Sequence, residues 1–307
     1  MKIVFMGTPD FAVGILRTLL ENGYDVVGVI TTPDKPAGRG QQPQYSAVKK
    51  FALRNNLPIL QPENLKDADF LEQLRAWQAD VQLIVAFRML PEVVWTMPPL
   101  GAFNLHASFL PQYRGAAPIN WVIINGETET GITTFFLNNE IDTGNIILQE
   151  KVQIPDHYNA GILHDELMHK GATLVMKTLK LIEKGNVKTY TQEKIENLKT
   201  APKIFKEECK LDFSLSCKYL HNFVRGLSPY PAAYFDFEHN GMVTTMKVFE
   251  TEKELTAHNY RAGKVIIDKK TIKIAVSNGF LHLKSIQLAG KKRMNIEEFL
   301  RGLRMRM

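Results

Sequence analysis

The chain has 307 residues, of which 45% are hydrophobic and 23% are charged, an ordinary soluble composition with enough apolar side chains for real cores. No apolar run approaches the ~18 residues that a membrane span needs, and Gly7, Pro9 and Asp10 interrupt the first apolar run too soon for a secretory signal. The only cysteines, Cys209 and Cys217, lack metal-type spacing and do not suggest a disulfide scaffold, so a reducing cytoplasm is expected. The length predicts two domains.

The formal net charge of +6 is unevenly distributed along the chain. Residues 209–307 hold 17 basic and 9 acidic side chains, a net charge of +8, whereas residues 1–208 hold 21 and 23, a net charge of −2. Such asymmetry indicates a polyanionic partner for the C-terminal third. A lysine-rich solvated surface explains the same counts, and charge balance alone does not separate the two.

The first 108 residues alternate buried strands with amphipathic helices. Residues 2–6 predict a strand that turns at Gly7 into a helix from about Asp10. Further strands are predicted at residues 25–31, 57–60, 81–87 and 101–108, and a helix over LKDADFLEQLRAW lies between two of them. This alternation indicates an α/β fold with a mostly parallel sheet covered by helices on both faces. Such sheets bind ligands at the carboxyl ends of their strands.

After Pro111 the pattern of elements changes. In chain order we predict a helix, two strands joined by the loop NEIDTG, and a long helix, at residues 117–126, 131–138, 145–154 and 160–184. A polar segment with little apolar periodicity follows and is predicted to be a linker, residues 191–208. Beyond it, a helix at 214–227 precedes several short alternating strands, which is typical of a small β-barrel. The predicted domains are therefore residues 1–190 and 209–307.

Three motif-like stretches are ambiguous or weak. GTPDFA, at the first strand-to-helix turn, lacks the dinucleotide fingerprint and is interpreted as a plain tight connection. In HDELMH the histidines are five residues apart, so they do not share a helix face and are interpreted as surface histidines. The Pro- and Gly-rich segment 32–44 is long for an α/β loop and cationic through Lys35 and Arg39. It is either a phosphate-binding loop or an idle surface excursion.

The stretch FNLHASFLPQYRGAAP at residues 103–118 carries the strongest chemical signal. Side chains two apart on a strand point to the same face, so Asn104 and His106 should lie side by side where the sheet ends. The loop NEIDTG follows a neighbouring predicted strand and supplies a carboxylate, Asp142. A single histidine at a strand end is usually structural, but an amide and a carboxylate beside it favour a catalytic interpretation.

These three groups can divide the work of acyl transfer. An amide NH₂ donates to the oxyanion that forms as a carbonyl becomes tetrahedral, an imidazole moves protons near neutral pH, and a carboxylate orients the imidazole and favours its charged form. No Ser or Cys nucleophile is evident, so direct attack by an incoming amine is the economical mechanism. A metal site is disfavoured, because Asn is a poor zinc ligand and the cluster contains no second histidine.

FNLHASFLPQYRGAAP followed by ETGITTFFLNNEIDTGNII closely resembles the formyltransferases that use 10-formyltetrahydrofolate. Together with MGTPDFA, PDKPAGRG, KEECKLDFSLS and VRGLSPYPAA, the set resembles in particular the members that formylate methionyl initiator tRNA. The likeness spans essentially the whole chain. It implies a Rossmann-like catalytic domain, a C-terminal OB-like barrel that binds tRNA, and 10-formyltetrahydrofolate as formyl donor without a metal.

The resemblance also implies roles for individual residues. Asn104, His106 and Asp142 match the family's catalytic trio. The folate-binding segment corresponds to Ser108, Phe109, Leu110 and Pro111. Phe109 stands where the family usually has Leu, and AFRMLP at 86–91 replaces a longer segment near the pterin, so the pterin contacts there stay unassigned.

The acceptor is expected to be methionyl initiator tRNA. Arg39 matches the arginine of a family loop that engages the tRNA acceptor end, and Lys35 lies in the same loop. Two alternatives are a formyltransferase that acts on a sugar nucleotide or on glycinamide ribotide, and a non-catalytic nucleic-acid-binding protein. The basic second domain argues against the first, and the catalytic trio argues against the second. A monomer with no membrane association is expected.

Overall fold

The computed structural model describes residues 1–37, 42–239 and 241–304. These residues form two compact units that share the chain in alternating segments. The first unit comprises residues 1–116, 130–153 and 164–200, and the second comprises residues 117–129, 154–163 and 201–307. Throughout the described ranges, no helix combines the length and the apolar character that a membrane crossing requires.

The secondary structure consists of short strands and mostly short helices. The strands are β1 (Lys2–Gly7), β2 (Asp25–Ile30), β3 (Lys35–Ala37), β4 (Gln42–Gln44), β5 (Ile59–Leu60), β6 (Val81–Val85), β7 (Ala102–His106), β8 (Arg114–Gly115), β9 (Glu129–Phe136), β10 (Ile146–Gln153), β11 (Thr200–Ala201), β12 (Ala233–His239), β13 (Met242–Glu254), β14 (Val265–Ile267), β15 (Ile272–Val276), β16 (Gly279–Leu288) and β17 (Met294–Asn295). The helices are α1 (Asp10–Glu21), α2 (Ala47–Arg54), α3 (Ala68–Ala76), α4 (Glu92–Trp95), α5 (Pro118–Ile124), α6 (Ala160–Glu183), α7 (Cys217–Leu227) and α8 (Ile296–Arg304), with a 3₁₀ turn at Lys206–Cys209.

The first unit is built on a seven-stranded sheet in the order β10-β9-β7-β6-β1-β2-β5. Five consecutive strands of this sheet run parallel to one another: β5, β2, β1, β6 and β7. Strand β9 pairs antiparallel with β7. This arrangement confirms the predicted α/β fold with a mostly parallel, Rossmann-like sheet. The parallel strands end at one edge, and β6 and β7 stand beside each other there.

Helices cover both faces of this sheet. On one face, Met6 and Ile84 join Leu74 of α3 in a buried apolar cluster. On the other face, α6 approaches β7 so closely that a Cβ on Gly171 would lie 2.8 Å from Leu105 Cδ2. Because side chains alternate along a strand, Asn104 and His106 lie on the opposite face from Leu105.

The predicted strand boundaries differ from the structure at several ends. Strand β6 stops at Val85 rather than at residue 87, because Ala86 has a φ of 48° and leaves the ladder. The segment 32–44, predicted to be a loop, contains the antiparallel pair β3 and β4. These strands have three residues each and no apolar alternation, so the sequence gives no strand signal. Residues 38–41, including Arg39, lie outside the described residues.

The second unit contains an antiparallel sheet in the order β12-β13-β16-β15-β14, with β17 paired to β16. Its register shifts between Val248 and Thr251, where β13 pairs with β16, and such irregularities increase the local twist of a sheet. Buried side chains from the sheet, α7 and α8 form one core, which includes Phe235, Leu283 and Phe299. This antiparallel sheet is consistent with the predicted OB-like domain, although β13, with 13 residues, is longer than the short strands that the sequence predicts. Helix α7 starts later than predicted, at Cys217, because Ser216 caps it by accepting from Tyr219 N at 3.2 Å.

His221 on α7 makes the stability of the chain sensitive to acid. Burial, and the nearby charges of Arg225 and Lys253, lower the pKa of His221 from 6.5 to about 4. The imidazole of His221 therefore binds a proton more tightly in the unfolded chain than in the folded one. Its contribution to the free energy of unfolding is complete above pH ~6.5 and is lost as the pH falls towards 4. Over this pH range we expect the free energy of unfolding of His221→Gln to change by about 1–2 kcal/mol less than that of the wild type, after allowing for the partial exposure of the ring. Urea unfolding at several pH values measures the free energy of unfolding of the wild type and of His221→Gln. If the two proteins gave parallel curves against pH, the role of His221 would be contradicted.

Candidate active site

Two of the predicted catalytic residues lie together at the carboxyl end of β7. Asn104 and His106 point to the same face of the sheet, and the His106 ring is buried. Their antiparallel partners on β9 are Phe135 and Thr133. The predicted side-by-side placement is therefore found.

The third predicted residue, Asp142, lies in the loop between β9 and β10 and faces the imidazole. His106 Nδ1 is 3.8 Å from Asp142 Oδ2, within ion-pairing distance but too long for a direct hydrogen bond. Both side chains are largely buried, with exposed fractions of 7% and 11%. A charge on the imidazole would therefore interact strongly with the carboxylate.

The hydrogen bond of His106 decides which ring nitrogen can exchange a proton. His106 Nε2 lies 2.9 Å from the carbonyl oxygen of Tyr113. A carbonyl oxygen only accepts, so Nε2 must carry its hydrogen. The nitrogen that gains and loses a proton is therefore Nδ1, which faces Asp142.

The loop after β7 also fixes the carboxylate. The backbone N–H of Gly115 donates to Asp142 Oδ2 at 2.9 Å. Asp142 itself has a φ of 54°, a left-handed conformation that residues other than glycine seldom adopt. Tyr113 and Gly115 belong to one short segment, so this segment orients both the imidazole and the carboxylate.

The amide of Asn104 is the unsatisfied group of the site. Its Oδ1 atom is buried and accepts no hydrogen bond from any described residue. Buried polar atoms in native proteins are almost always paired, and an unpaired one commonly marks the place of a ligand or an ion. The Asn104 oxygen is thus available to a hydrogen-bond donor that enters the site.

The predicted folate-binding segment is held in place by hydrogen bonds from side chains to backbone carbonyls. Thr133 Oγ1 donates to the carbonyl of Ser108 at 2.7 Å, and Gln149 Nε2 donates to the carbonyl of Leu110 at 2.8 Å. The Ser108 hydroxyl donates to the carbonyl of Gln112 at 2.6 Å. Ser108 and Leu110 are buried, whereas Phe109 and Pro111 are half-buried.

The remaining predictions concern the tRNA contact, a metal site and the histidines of HDELMH. Lys35 starts β3, and Arg39 falls in the segment outside the described residues. No set of three or more His, Cys, Asp or Glu side chains within the described ranges could hold a metal ion. His169 of HDELMH bonds its own helix, to the carbonyl of Asp165 at 2.6 Å.

Gln192 is a residue of the site that sequence reasoning missed. It falls in the predicted linker, yet only 8% of it is exposed. It contacts the side chain of Arg114 and the carbonyls of Asp142 and Gly144. No local pattern marked it, because a glutamine in a polar stretch normally indicates solvent exposure.

Comparison with known proteins places the chain in a family. Residues 1–179 match the family model described as formyl transferase, and residues 203–304 match the model of the formyl transferase C-terminal domain. A protein of Flavobacterium johnsoniae is 58% identical over 99% of this chain and 96% of its own length. One of Bacteroides thetaiotaomicron is 57% identical with the same coverage. Both relatives are called methionyl-tRNA formyltransferase.

Solved structures share the fold at lower identity. WlaRD, a sugar 3N-formyl transferase crystallised with dTDP and 5-N-formyl-THF, has a TM-score of 0.65 and 23% identity over 95% of this chain and 99% of its own. HypX from Aquifex aeolicus, in complex with tetrahydrofolic acid, has a TM-score of 0.66 and 17% identity over 98% of this chain and 47% of its own. At such identities the likeness shows the fold alone. The two family models and the close relatives, taken together, show that this chain belongs to the formyl transferase family.

Proposed function

We infer that this chain transfers the formyl group of 10-formyltetrahydrofolate to the α-amino group of methionyl initiator tRNA, for use in translation initiation. The acceptor follows from relatives at 52–58% identity that are named for this reaction and match nearly the whole chain. One structural observation supports the chemistry: an amide, an imidazole nitrogen that can exchange a proton and a carboxylate meet at the end of β7 and the neighbouring loop.

In the proposed mechanism, Asn104 stabilises the charge that develops on the formyl oxygen. The free α-amino group has a pKa of ~7.7–8.0, so a part of it is neutral and nucleophilic near pH 7. Its nitrogen attacks the formyl carbon, and the carbonyl becomes a tetrahedral oxyanion. The Asn104 amide NH₂ donates to this oxygen, an interaction that is stronger in the transition state than in the ground state.

His106 moves the proton that the new bond releases. The attacking nitrogen becomes positively charged, and His106 Nδ1 accepts its proton. His106 Nδ1 then gives a proton to N10 of the folate as the bond between N10 and the formyl carbon breaks. Asp142 stabilises the imidazolium in between, and Tyr113 O keeps Nε2 protonated throughout. The products are formyl-methionyl-tRNA and tetrahydrofolate.

The folate donor and the tRNA acceptor are proposed to contact different segments of the chain. The half-buried side chains of Phe109 and Pro111 can contact the folate, while Ser108 and Leu110 hold the segment in place. Lys35 and Arg39 are proposed to contact the tRNA acceptor end. The tRNA body is assigned to residues 209–307, whose net charge is +8. Residues 1–190 are proposed as the catalytic domain of a cytoplasmic monomer, and 191–208 as a linker whose Gln192 returns to contact that domain.

The direct test is a choice among acceptors. The protein is incubated with formyl-labelled 10-formyltetrahydrofolate and, in separate reactions, methionyl initiator tRNA, an amino-sugar nucleotide and glycinamide ribotide. We expect label in the methionyl-tRNA alone. Labelling of either small amine in preference to the tRNA would assign another acceptor, and no labelling of any acceptor would contradict a formyl transfer function.

Arg39 provides a test of the tRNA contact. Loss of one charge-assisted hydrogen bond to a phosphate costs about 1.5–3 kcal/mol, so we expect Arg39→Ala to lower kcat/KM for methionyl-tRNA by about tenfold or more. The KM for the folate should stay the same. Steady-state kinetics with each substrate varied measure this, and Gln41→Ala, a neutral change in the same segment, serves as control. Unchanged tRNA kinetics in Arg39→Ala would remove this residue from the tRNA contact.

A further inference from the structure

The side-chain amide of Gln192 uses both of its ends in hydrogen bonds. Its Oε1 accepts from Arg114 Nε at 3.1 Å and from Arg114 Nη2 at 2.5 Å. Its Nε2 donates to the carbonyl of Asp142 at 2.8 Å and to that of Gly144 at 2.9 Å. The reversed amide would place oxygen against two carbonyls and NH₂ against a guanidinium, so only this orientation satisfies all four groups.

The backbone that Gln192 holds is the part of the loop that carries Asp142. Gly144 packs closely against the end of β9, since a Cβ there would lie 1.7 Å from the carbonyl oxygen of Phe136. Asp142 is held in a left-handed conformation, at a φ of 54°, that a free chain seldom adopts. Without Gln192, two carbonyls of this strained turn would lose their shared partner.

Arg114 links this support to the other residues of the site. It lies between Tyr113, whose carbonyl oxygen accepts from His106, and Gly115, whose N–H donates to the Asp142 carboxylate. The Asp142 segment is therefore held at two points, its carboxylate by Gly115 and its backbone by Gln192. Both points lead back to residues 113–115, in which the carbonyl oxygen of Tyr113 orients the imidazole.

We propose that Gln192, itself oriented by Arg114, is a positioning residue that keeps the Asp142 carboxylate in front of His106 during formyl transfer. The proposal rests on the proposed function, since it names a support for that same site. It assigns a catalytic consequence to a residue far along the chain from the motifs that carry the chemistry. Gln192 is not expected to touch either substrate.

A double-mutant cycle tests this proposal, because a residue that acts only through Asp142 has nothing to act on once the carboxylate is gone. We expect Gln192→Ala to lower kcat by about 10-fold to 100-fold, the usual cost of a misplaced catalytic group, with the KM for folate and for tRNA changed by less than about twofold. In the Asp142→Asn background the same substitution should change kcat by less than about twofold. Glu193→Gln, an exposed neighbour, is the matched control.

Gln192→Glu separates the two ends of the amide. A carboxylate keeps the acceptor for Arg114 but places an oxygen against the carbonyls of Asp142 and Gly144, where donors are needed. We expect this variant to lose kcat to a similar extent as Gln192→Ala. It also provides the test if Gln192→Ala does not fold, because its pairing with Arg114 is retained.

Two results would overturn the proposal. One is wild-type kcat in both folded Gln192 variants. The other is an equal loss of kcat from Gln192→Ala with and without the Asp142 carboxylate, which would show that Gln192 acts independently of it. A wild-type chain that did not formylate methionyl-tRNA would instead contradict the proposed function, so the two failures are distinct.

Discussion

Asn104→Ala is expected to lower kcat for formyl transfer by about 10²–10³ while the protein remains folded. Removal of one donor to a developing oxyanion has this effect in acyl-transfer enzymes, because the lost interaction exists mainly in the transition state. For the same reason the KM for both substrates should change little. Asn104 is suited to this role because its NH₂ is a hydrogen-bond donor and because it lies beside His106 on the same face of β7. Single-turnover kinetics with formyl-labelled donor measure the chemical step without interference from product release.

The controls for this variant separate chemistry from folding. Asn186→Ala makes the same substitution at an exposed asparagine that follows α6 and should leave kcat unchanged. Circular dichroism and thermal unfolding should coincide for the wild type and both variants. If folded Asn104→Ala kept turnover within about threefold of wild type, oxyanion stabilisation by this amide would be wrong, since a real donor is worth far more.

The second large effect is expected at His106. His106→Gln keeps an N–H that can donate to the carbonyl of Tyr113 but has no nitrogen that titrates near neutral pH. We expect kcat to fall by about 10²–10⁴, the range of a lost general acid–base group. Donor affinity, followed by fluorescence or calorimetric titration, should stay within about threefold of wild type, because the group acts on the moving proton rather than on the bound folate.

A small base offers an additional readout for this position. His106→Gly leaves room for imidazole from solution, and added imidazole should restore a part of kcat in a concentration-dependent way. His164→Gln, at a partly exposed histidine that pairs with Asp165, is the control and should be insensitive to imidazole. Wild-type kcat in folded His106→Gln would exclude proton transfer by this ring.

The parallel sheet and the pairing of Asn104 with His106 were predictable because they depend on simple periodicity. A period of two places residues 104 and 106 on one face, and parallel strands end at one edge. Apolar runs such as KIVFM indicated the buried strands correctly. The distance of 3.8 Å between His106 and Asp142 follows from the turn after β9, for which the sequence offered only its position after a predicted strand.

Gln192 and the β3–β4 pair could not be predicted for a common physical reason. Both depend on hydrogen bonds of polar groups, and such bonds leave no periodic apolar signal in the sequence. Gln192 satisfies backbone carbonyls from a segment some 50 residues away, a long-range contact that no local window contains. The same holds for Gly115, whose N–H meets a carboxylate 27 residues further along.

The most direct test of the account is a crystal structure with a non-reactive analogue of the formyl donor bound. The account predicts that the formyl oxygen lies within hydrogen-bond distance of Asn104 Nδ2, about 2.6–3.2 Å, and that the formyl group lies beside His106 Nδ1, on the side of the ring that also faces Asp142. A formyl group bound with well-ordered density more than about 6 Å from both Asn104 and His106 would contradict it, because neither side chain could then reach the reacting atoms.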